Sequence, residues 1–189
     1  MEDMTKAGVL ALQGDFREHA RVFADLGVTP VEVRTAEDLA GVDCLAIPGG
    51  ESTTMGKLAR AFELVEPIRA RARSGMPIIG TCAGMIVLAE RVRGGEPLFG
   101  LMDMAVRRNA YGRQVDSFEA DLDVRGIDHP VRGVFIRAPR IEDVGDGVDV
   151  LATFEDDPVV LEQRNLVVAS FHPELVGETG LHEYLLRKV

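Results

Sequence analysis

Three short stretches of this chain set reactive side chains where an acyl transfer would need them. The first is Gly80-Thr81-Cys82-Ala83-Gly84, which lies between the apolar runs Pro77-Ile78-Ile79 and Met85-Ile86-Val87-Leu88-Ala89. Read as strand, sharp turn and helix, it places a cysteine at the apex of the thiol version of a nucleophile elbow, where small residues flank a tight turn. A helix starting at Cys82 would aim free N–H groups and a positive dipole end at the sulfur, which favours thiolate, the reactive form. The plainer alternative is a buried structural cysteine, the common state of a free thiol. The flanking glycines favour the nucleophile.

The second stretch is the strand-like run Val167-Val168-Ala169-Ser170-Phe171, which ends in His172-Pro173-Glu174. A nucleophilic cysteine needs a base within hydrogen-bond reach, and the base needs a third group to orient it. On a continuing strand, residues two apart share a face, so Glu174 would hold one imidazole nitrogen of His172 while the other faces the thiol. His-x-Glu alone reads as an ordinary loop; the order Cys…His-x-Glu is a specific constellation. Metal binding is a poor competitor: there is no Cys-x-x-Cys or His-Glu-x-x-His, and His19, His129, His172 and His182 are scattered along the sequence.

The third stretch is Pro48-Gly49-Gly50-Glu51-Ser52-Thr53-Thr54, after the apolar run Cys44-Leu45-Ala46-Ile47. Two glycines at a strand end let the backbone approach a ligand and point N–H groups at it. A tetrahedral intermediate needs such donors for its developing oxyanion. The expectation is that an N–H of the Gly49–Gly50 region, assigned to Gly50, and the N–H of Ala83 form that hole, with Ser52 or Thr53 capping the next helix. A phosphate-binding Walker loop is excluded, because Gly-Lys-Ser/Thr is missing at the required spacing.

The elements that must position these groups alternate along the chain. Gly8–Leu12 reads as a strand, and Asp15–Leu26 as a helix with Phe16, Ala20, Phe23 and Leu26 at helical spacing. Strands follow at Thr29–Val33 and Cys44–Ile47, then helices at Thr53–Phe62 and Leu64–Ser74, before the elbow. Strands alternating with helices predict an α/β fold with a doubly wound, mostly parallel sheet flanked by helices, whose ligands bind at the carboxyl ends of strands. The second half is richer in strand signals, at Met104–Arg108, Ser117–Leu122, Val131–Ile136, Val148–Phe154, Val159–Gln163 and Leu166–Phe171. Some of these predict a small antiparallel extension, and Leu181–Val189 a terminal helix. No linker or repeat splits residues 1–189, which read as one domain.

Together the three stretches resemble the class I glutamine amidotransferases, whose glutaminase domains carry a Cys-His-Glu triad on a flavodoxin-like α/β fold. Further blocks narrow the resemblance to the glutaminase subunits of pyridoxal 5′-phosphate synthase. They are Leu12-Gln13-Gly14, Arg17-Glu18-His19, Pro48 to Met55, Arg108-Asn109, Gly112-Arg113-Gln114-Val115-Asp116-Ser117-Phe118, Phe135-Ile136-Arg137-Ala138-Pro139 and Ser170 to Leu175. The resemblance runs from about Gly8 to Tyr184, and no departure falls on a triad position. It implies hydrolysis of L-glutamine to glutamate and ammonia through a thioester on Cys82, with His172 as acid and base and Glu174 orienting it. It implies a glutamine site lined by Gly49, Gly50, Glu51, Arg108, Ile136 and Arg137, and places Gln13 and Gly14 at an interface for ammonia transfer. It also implies a synthase partner in a large hetero-oligomer, for which Arg17–Arg21 is a candidate docking surface. Pyridoxal 5′-phosphate would be the product of that complex, so no cofactor and no metal is expected in this chain. The competing readings are a glutaminase serving another acceptor, a γ-glutamyl hydrolase or cysteine peptidase of the same fold, and an inactive regulatory module.

Composition narrows the setting. A formal charge of −10 disfavours nucleic acid or an anionic membrane as partner. No apolar run approaches the ~20 residues of a membrane span, and the acidic start Met1-Glu2-Asp3-Met4 lacks the basic region of a secretory signal. With two cysteines, of which Cys44 reads as structural, a disulfide framework is not expected, and the cytoplasm is the expected location.

Overall fold

The computed structural model describes residues 4–108 and 117–189. Asn109 and the block Gly112–Asp116 singled out above lie outside the described residues. The chain opens with β1 (Lys6–Leu10), α1 (Phe16–Asp25), β2 (Thr29–Val33), α2 (Ala36–Ala40), β3 (Cys44–Ile47), α3 (Ser52–Ala61), α4 (Val65–Arg73), β4 (Ile78–Thr81) and α5 (Ala83–Leu88). It continues through β5 (Ala89–Arg93), β6 (Met102–Arg107), β7 (Phe118–Leu122), β8 (Val131–Phe135), β9 (Arg140–Val144), β10 (Asp149–Phe154), β11 (Asp157–Gln163) and β12 (Leu166–Ala169), and closes with α6 (Gly180–Leu186).

A seven-stranded sheet runs in the order β10-β11-β12-β4-β3-β1-β2. From β12 to β2 all neighbours are parallel, and β11 and β10 add an antiparallel edge. The sheet's strand β2 is a partly exposed edge, and its central strands β12, β4 and β3 are buried on both faces, as interior parallel strands must be. Its side chains alternate: Leu45, Ile47, Ile78 and Val168 enter one core with Met55, Ile68 and Met85 from α3, α4 and α5. Cys44, Ala46, Ile79 and Val167 enter a second core with Phe23 from α1 and Leu181 and Leu185 from α6. The doubly wound α/β expectation is therefore met, with helices on both faces.

Three elements were not foreseen. Helix α2 starts at a capping box, in which Thr35 Oγ1 accepts from Asp38 N (3.1 Å) and Asp38 Oδ2 accepts from Thr35 N (2.9 Å). β5 and β9 flank β6 in a small second sheet; β5–β6 is parallel and β6–β9 antiparallel. β5 and β9 carry charges that pair across the sheet, as Arg91 does with Asp103 (2.7 Å) and Asp143 (3.2 Å), so they lack the clear apolar alternation that marks β6 in sequence. β7 and β8 pair antiparallel, with Phe118 stacked on Phe135 at 4.6 Å between centroids. β8 also bridges to the segment after β12, through His172 N to Val134 O (2.8 Å). Among the described residues, no helix is long and apolar enough to cross a membrane.

Candidate active site

The elbow is built by close backbone packing. A Cβ on Gly84 would lie 2.0 Å from Ile47 O, and one on Gly80 would lie 2.6 Å from Gly84 O. Only glycines at both positions let α5 start directly against β3 and β4. The turn drives Cys82 to φ 51°, ψ −107°, outside the regions open to ordinary side chains. Its N–H donates to Ala169 O at the end of β12 (2.9 Å), and its Sγ lies 3.9 Å from Ile136 O. The free thiol is 7% exposed.

The segment that leaves β12 carries His172 and Glu174. Its strand stops at Ala169, and Glu174 opens a 3₁₀ turn, Glu174–Val176. The two side chains therefore meet through a bend and not through the period of a continuing strand, because Pro173 turns the chain into the 3₁₀ conformation. They meet closely: His172 Nδ1 is 2.7 Å from Glu174 Oε1, both buried. Burial alone would lower the His172 pKa, but hydrogen bonds and charge from Cys82 and Glu174 outweigh it and raise the value to about 11. The hydrogen bonds and charges of its neighbours thus favour the imidazolium form. Burial raises Glu174 above the ordinary carboxylate range, and its hydrogen bond to His172 opposes that rise.

Beside them runs the Gly49–Gly50 loop. Gly50 and Ala83 line a cleft of about 490 Å³ together with Cys82, His172, Ile136 and Arg137. Gly49 sits behind it. A Cβ there would lie 2.2 Å from His172 Cε1, so its backbone forms a wall for the imidazole, and its carbonyl accepts from Asp15 N (3.0 Å). Neither Ser52 nor Thr53 caps α3, contrary to the sequence expectation. Glu51 does, because its longer side chain reaches Thr53 N (3.0 Å) and Thr54 N (2.7 Å). These bonds, with that from Thr54 Oγ1 the largest contributor, hold its pKa near about 2. Arg108 pairs with Glu51 (3.1 Å) and Thr53 Oγ1 (3.1 Å) at the cleft edge. Gln13 and Gly14 also touch the loop. Gln13 Oε1 accepts from Glu51 N (2.8 Å), and Gly14, at φ +90°, leaves no room for a Cβ, which would lie 1.8 Å from Gly49 O.

Sequence reasoning missed several groups here. Asp15 Oδ2 lies 3.3 Å from His172 Nδ1, sharing that nitrogen with Glu174. Asp15, His172 and Glu174 present possible ligand atoms within 4.8 Å of one another, but two of those atoms are committed to each other by hydrogen bonding. Three of the four histidines gather near Glu174, while the exposed His129 pairs instead with Glu178 (3.1 Å). His19 and His182 meet at 2.8 Å, and His19 Nε2 lies 3.6 Å from Glu174 Oε1. His19 was legible in principle. It stands three residues after Phe16 and four before Phe23, on the apolar face of α1.

A thiol on a strained turn, an imidazole in the same cleft and a buried carboxylate bonded to that imidazole are the parts of a cysteine-dependent acyl transfer. Residues 9–189 match the SNO glutamine amidotransferase family. The chain belongs to that family. It is 56% identical over 181 residues to "Pyridoxal 5′-phosphate synthase subunit PdxT" of Frankia alni, covering 94% of this chain and 91% of that protein. A protein of the same name from Pelotomaculum thermopropionicum is 53% identical over 185 residues, with 97% and 94% covered. The solved "Crystal structure of glutamine amidotransferase" superposes with a TM-score of 0.92 at 48% identity, covering 96% of this chain and 97% of that one.

Proposed function

We propose that this member of the SNO family is a glutaminase that releases ammonia from L-glutamine for a pyridoxal 5′-phosphate synthase. One observation carries the chemistry: Cys82 at φ 51° shares a cleft with His172, whose Nδ1 is 2.7 Å from the buried Glu174. Cys82 attacks the side-chain amide carbonyl as thiolate. The N–H groups of Gly50 and Ala83 receive the oxyanion. His172, held protonated, gives its proton to the departing ammonia, and a γ-glutamyl thioester remains on Cys82. Water, deprotonated by His172, then cleaves the thioester to glutamate. Glu174 keeps the imidazole in register. Arg137, with Ile136 and Glu51, shapes the end of the cleft that takes the amino acid's charged groups; Arg108, already paired with Glu51, acts there through that pair.

The partner reading rests on the names of the relatives, which are subunits of a pyridoxal 5′-phosphate synthase. Pyridoxal 5′-phosphate is then the product of the complex and not a group held by this chain. Ile136 and Leu175, exposed at the cleft mouth, with Val176 beside them, suit contact with such a subunit. Gln13 and Gly14, which contact the Gly49–Gly50 loop from the β1 side, belong in this reading to the interface for ammonia transfer. The test is ammonia release from glutamine with and without the synthase subunit. A rise on adding it, abolished in Cys82→Ala, supports the proposal. Peptide cleavage by the lone chain, or wild-type ammonia release by Cys82→Ala, contradicts it.

A further inference from the structure

Next to Glu174 lies a buried polar seam that the proposed reaction does not use. His19 of α1 and His182 of α6 are both fully buried, and their Nδ1 and Nε2 atoms are 2.8 Å apart. His19 Nε2 lies 3.0 Å from Thr81 Oγ1, at the end of β4 beside Cys82, and 3.6 Å from Glu174 Oε1. His182 Nδ1 and Glu174 Oε2 have no hydrogen-bond partner among the described residues.

Two independent features select one tautomer. If His19 carried its proton on Nδ1, a bare Nε2 lone pair would face the Glu174 carboxylate. The His182 proton would then sit on Nδ1, as a buried donor without an acceptor, which is costly. With the proton on His19 Nε2, an N–H faces Thr81 Oγ1 and the carboxylate. His182 then donates from Nε2 to His19 Nδ1, and only a lone pair is left unpartnered. Both rings stay neutral: burial, then the charges of His182 and His172, lower His19, and burial lowers His182 to about 4 against the opposing charge of Glu178. The groups facing Glu174 are therefore His172, His19 and, from the start of α1, Asp15.

We propose that His19, fixed in the Nε2–H tautomer by His182, is a positioning residue that keeps Glu174 ionised and aimed at His172. This deepens the glutaminase reading and rests on it. The first test is ¹⁵N-histidine NMR of the full chain, correlating ring nitrogens with ring protons. A proton on Nε2 and a bare Nδ1 for His19 are expected; Nδ1 protonation overturns the proposal. The second compares His19→Met with His19→Gln in ammonia release with the synthase subunit present. Gln can place an amide N–H near the Nε2 position, and Met cannot. The expected result for Met is a kcat loss on the order of 10-fold with KM little changed, and an acid limb of the pH profile moved to higher pH. Gln restores both. Equal losses in the two variants, or a wild-type profile in His19→Met, overturn it. The tautomer is read without turnover, so its failure is distinguishable from failure of the glutaminase reading, which shows as a wild-type complex releasing no ammonia.

Discussion

The two faces of the large sheet are packed by different rules. Against α3, α4 and α5 lies a broad apolar cluster, from Leu45 and Ile68 to Met85. Against α1 and α6 a second core, with Phe23 and Leu181, is cut by a seam of buried polar groups: His19, Thr81, Glu174 and His182. Buried polar groups weaken a core unless they are paired, and in this seam Glu174 Oε2 and His182 Nδ1 have no hydrogen-bond partner among the described residues. The seam ends at His172 and Cys82. One face is thus built around apolar packing, and the other also holds a buried carboxylate against an imidazole. Cys44 and Cys82 repeat the contrast. Cys44, on β3, is pushed up to about 12 by burial with a contribution from Asp43 and is inert at neutral pH; Cys82 is set at a strained turn against an imidazolium.

Substitutions on the two sides should therefore separate turnover from stability. The largest effect is expected at the end of the seam. Cys82→Ala should lower ammonia release by roughly 10⁴-fold or more, while its urea midpoint stays near wild type. Glu174→Gln should follow with a smaller loss, on the order of 10²-fold to 10⁴-fold in kcat, because orientation is one part of the effect. A Cys82→Ala protein that unfolds as readily as it loses activity would erase the distinction. On the apolar face, Ile68→Ala should cost about 2–5 kcal/mol of unfolding free energy by urea titration, through transfer and cavity terms. KM should be unchanged in the fraction that remains folded.

How far the sequence disclosed this arrangement depended on how local the cause was. The elbow was legible because Gly80, Cys82 and Gly84 act within five residues, and the glycines report a backbone packing that no other residue permits. The main strands were legible because both their faces are buried. β5 and β9 were hidden by charges that make sense only once Arg91 meets Asp103 and Asp143. α2 carried a readable Thr-x-x-Asp cap that went unused. The seam could not be read, because His19 and His182 stand 163 residues apart. Asp15 likewise reaches His172 only through the fold of two loops. Glu51 was singled out as a substrate-binding group, and its second task as a helix cap came from a side chain long enough to turn back on Thr53 and Thr54.

The pH dependence of stability sharpens the comparison further. His19 and His182 stay neutral in the fold below their ordinary 6.5, His182 down to about 4, while the unfolded chain takes up protons there. Their stabilising contribution is full above about 6.5 and is lost as pH falls toward 4, at up to about 1.4 kcal/mol per pH unit for each. Glu174, raised by burial, takes up its proton first in the fold and offsets part of that loss. His172 has the opposite sense: its contribution is full below 6.5 and declines as pH rises toward about 11. Urea midpoints should pass through a maximum near neutral pH. A midpoint that does not fall between pH 6.5 and pH 4 would remove the buried neutral pair from the account. The smallest effect is expected where the two regions join. Glu51→Ala should cost about 1 kcal/mol or less through the lost α3 cap, with a rise in KM for glutamine as Arg108 loses its partner.

The central claim is that Cys82 carries the acyl group. Acid-quenching the chain during turnover of glutamine with the synthase subunit, followed by peptide mass mapping, tests it directly. The account predicts a base-labile γ-glutamyl adduct on the peptide that contains Cys82 and none on the peptide that contains Cys44. An adduct on any other residue, with the Cys82 peptide unmodified at every quench time, would contradict it.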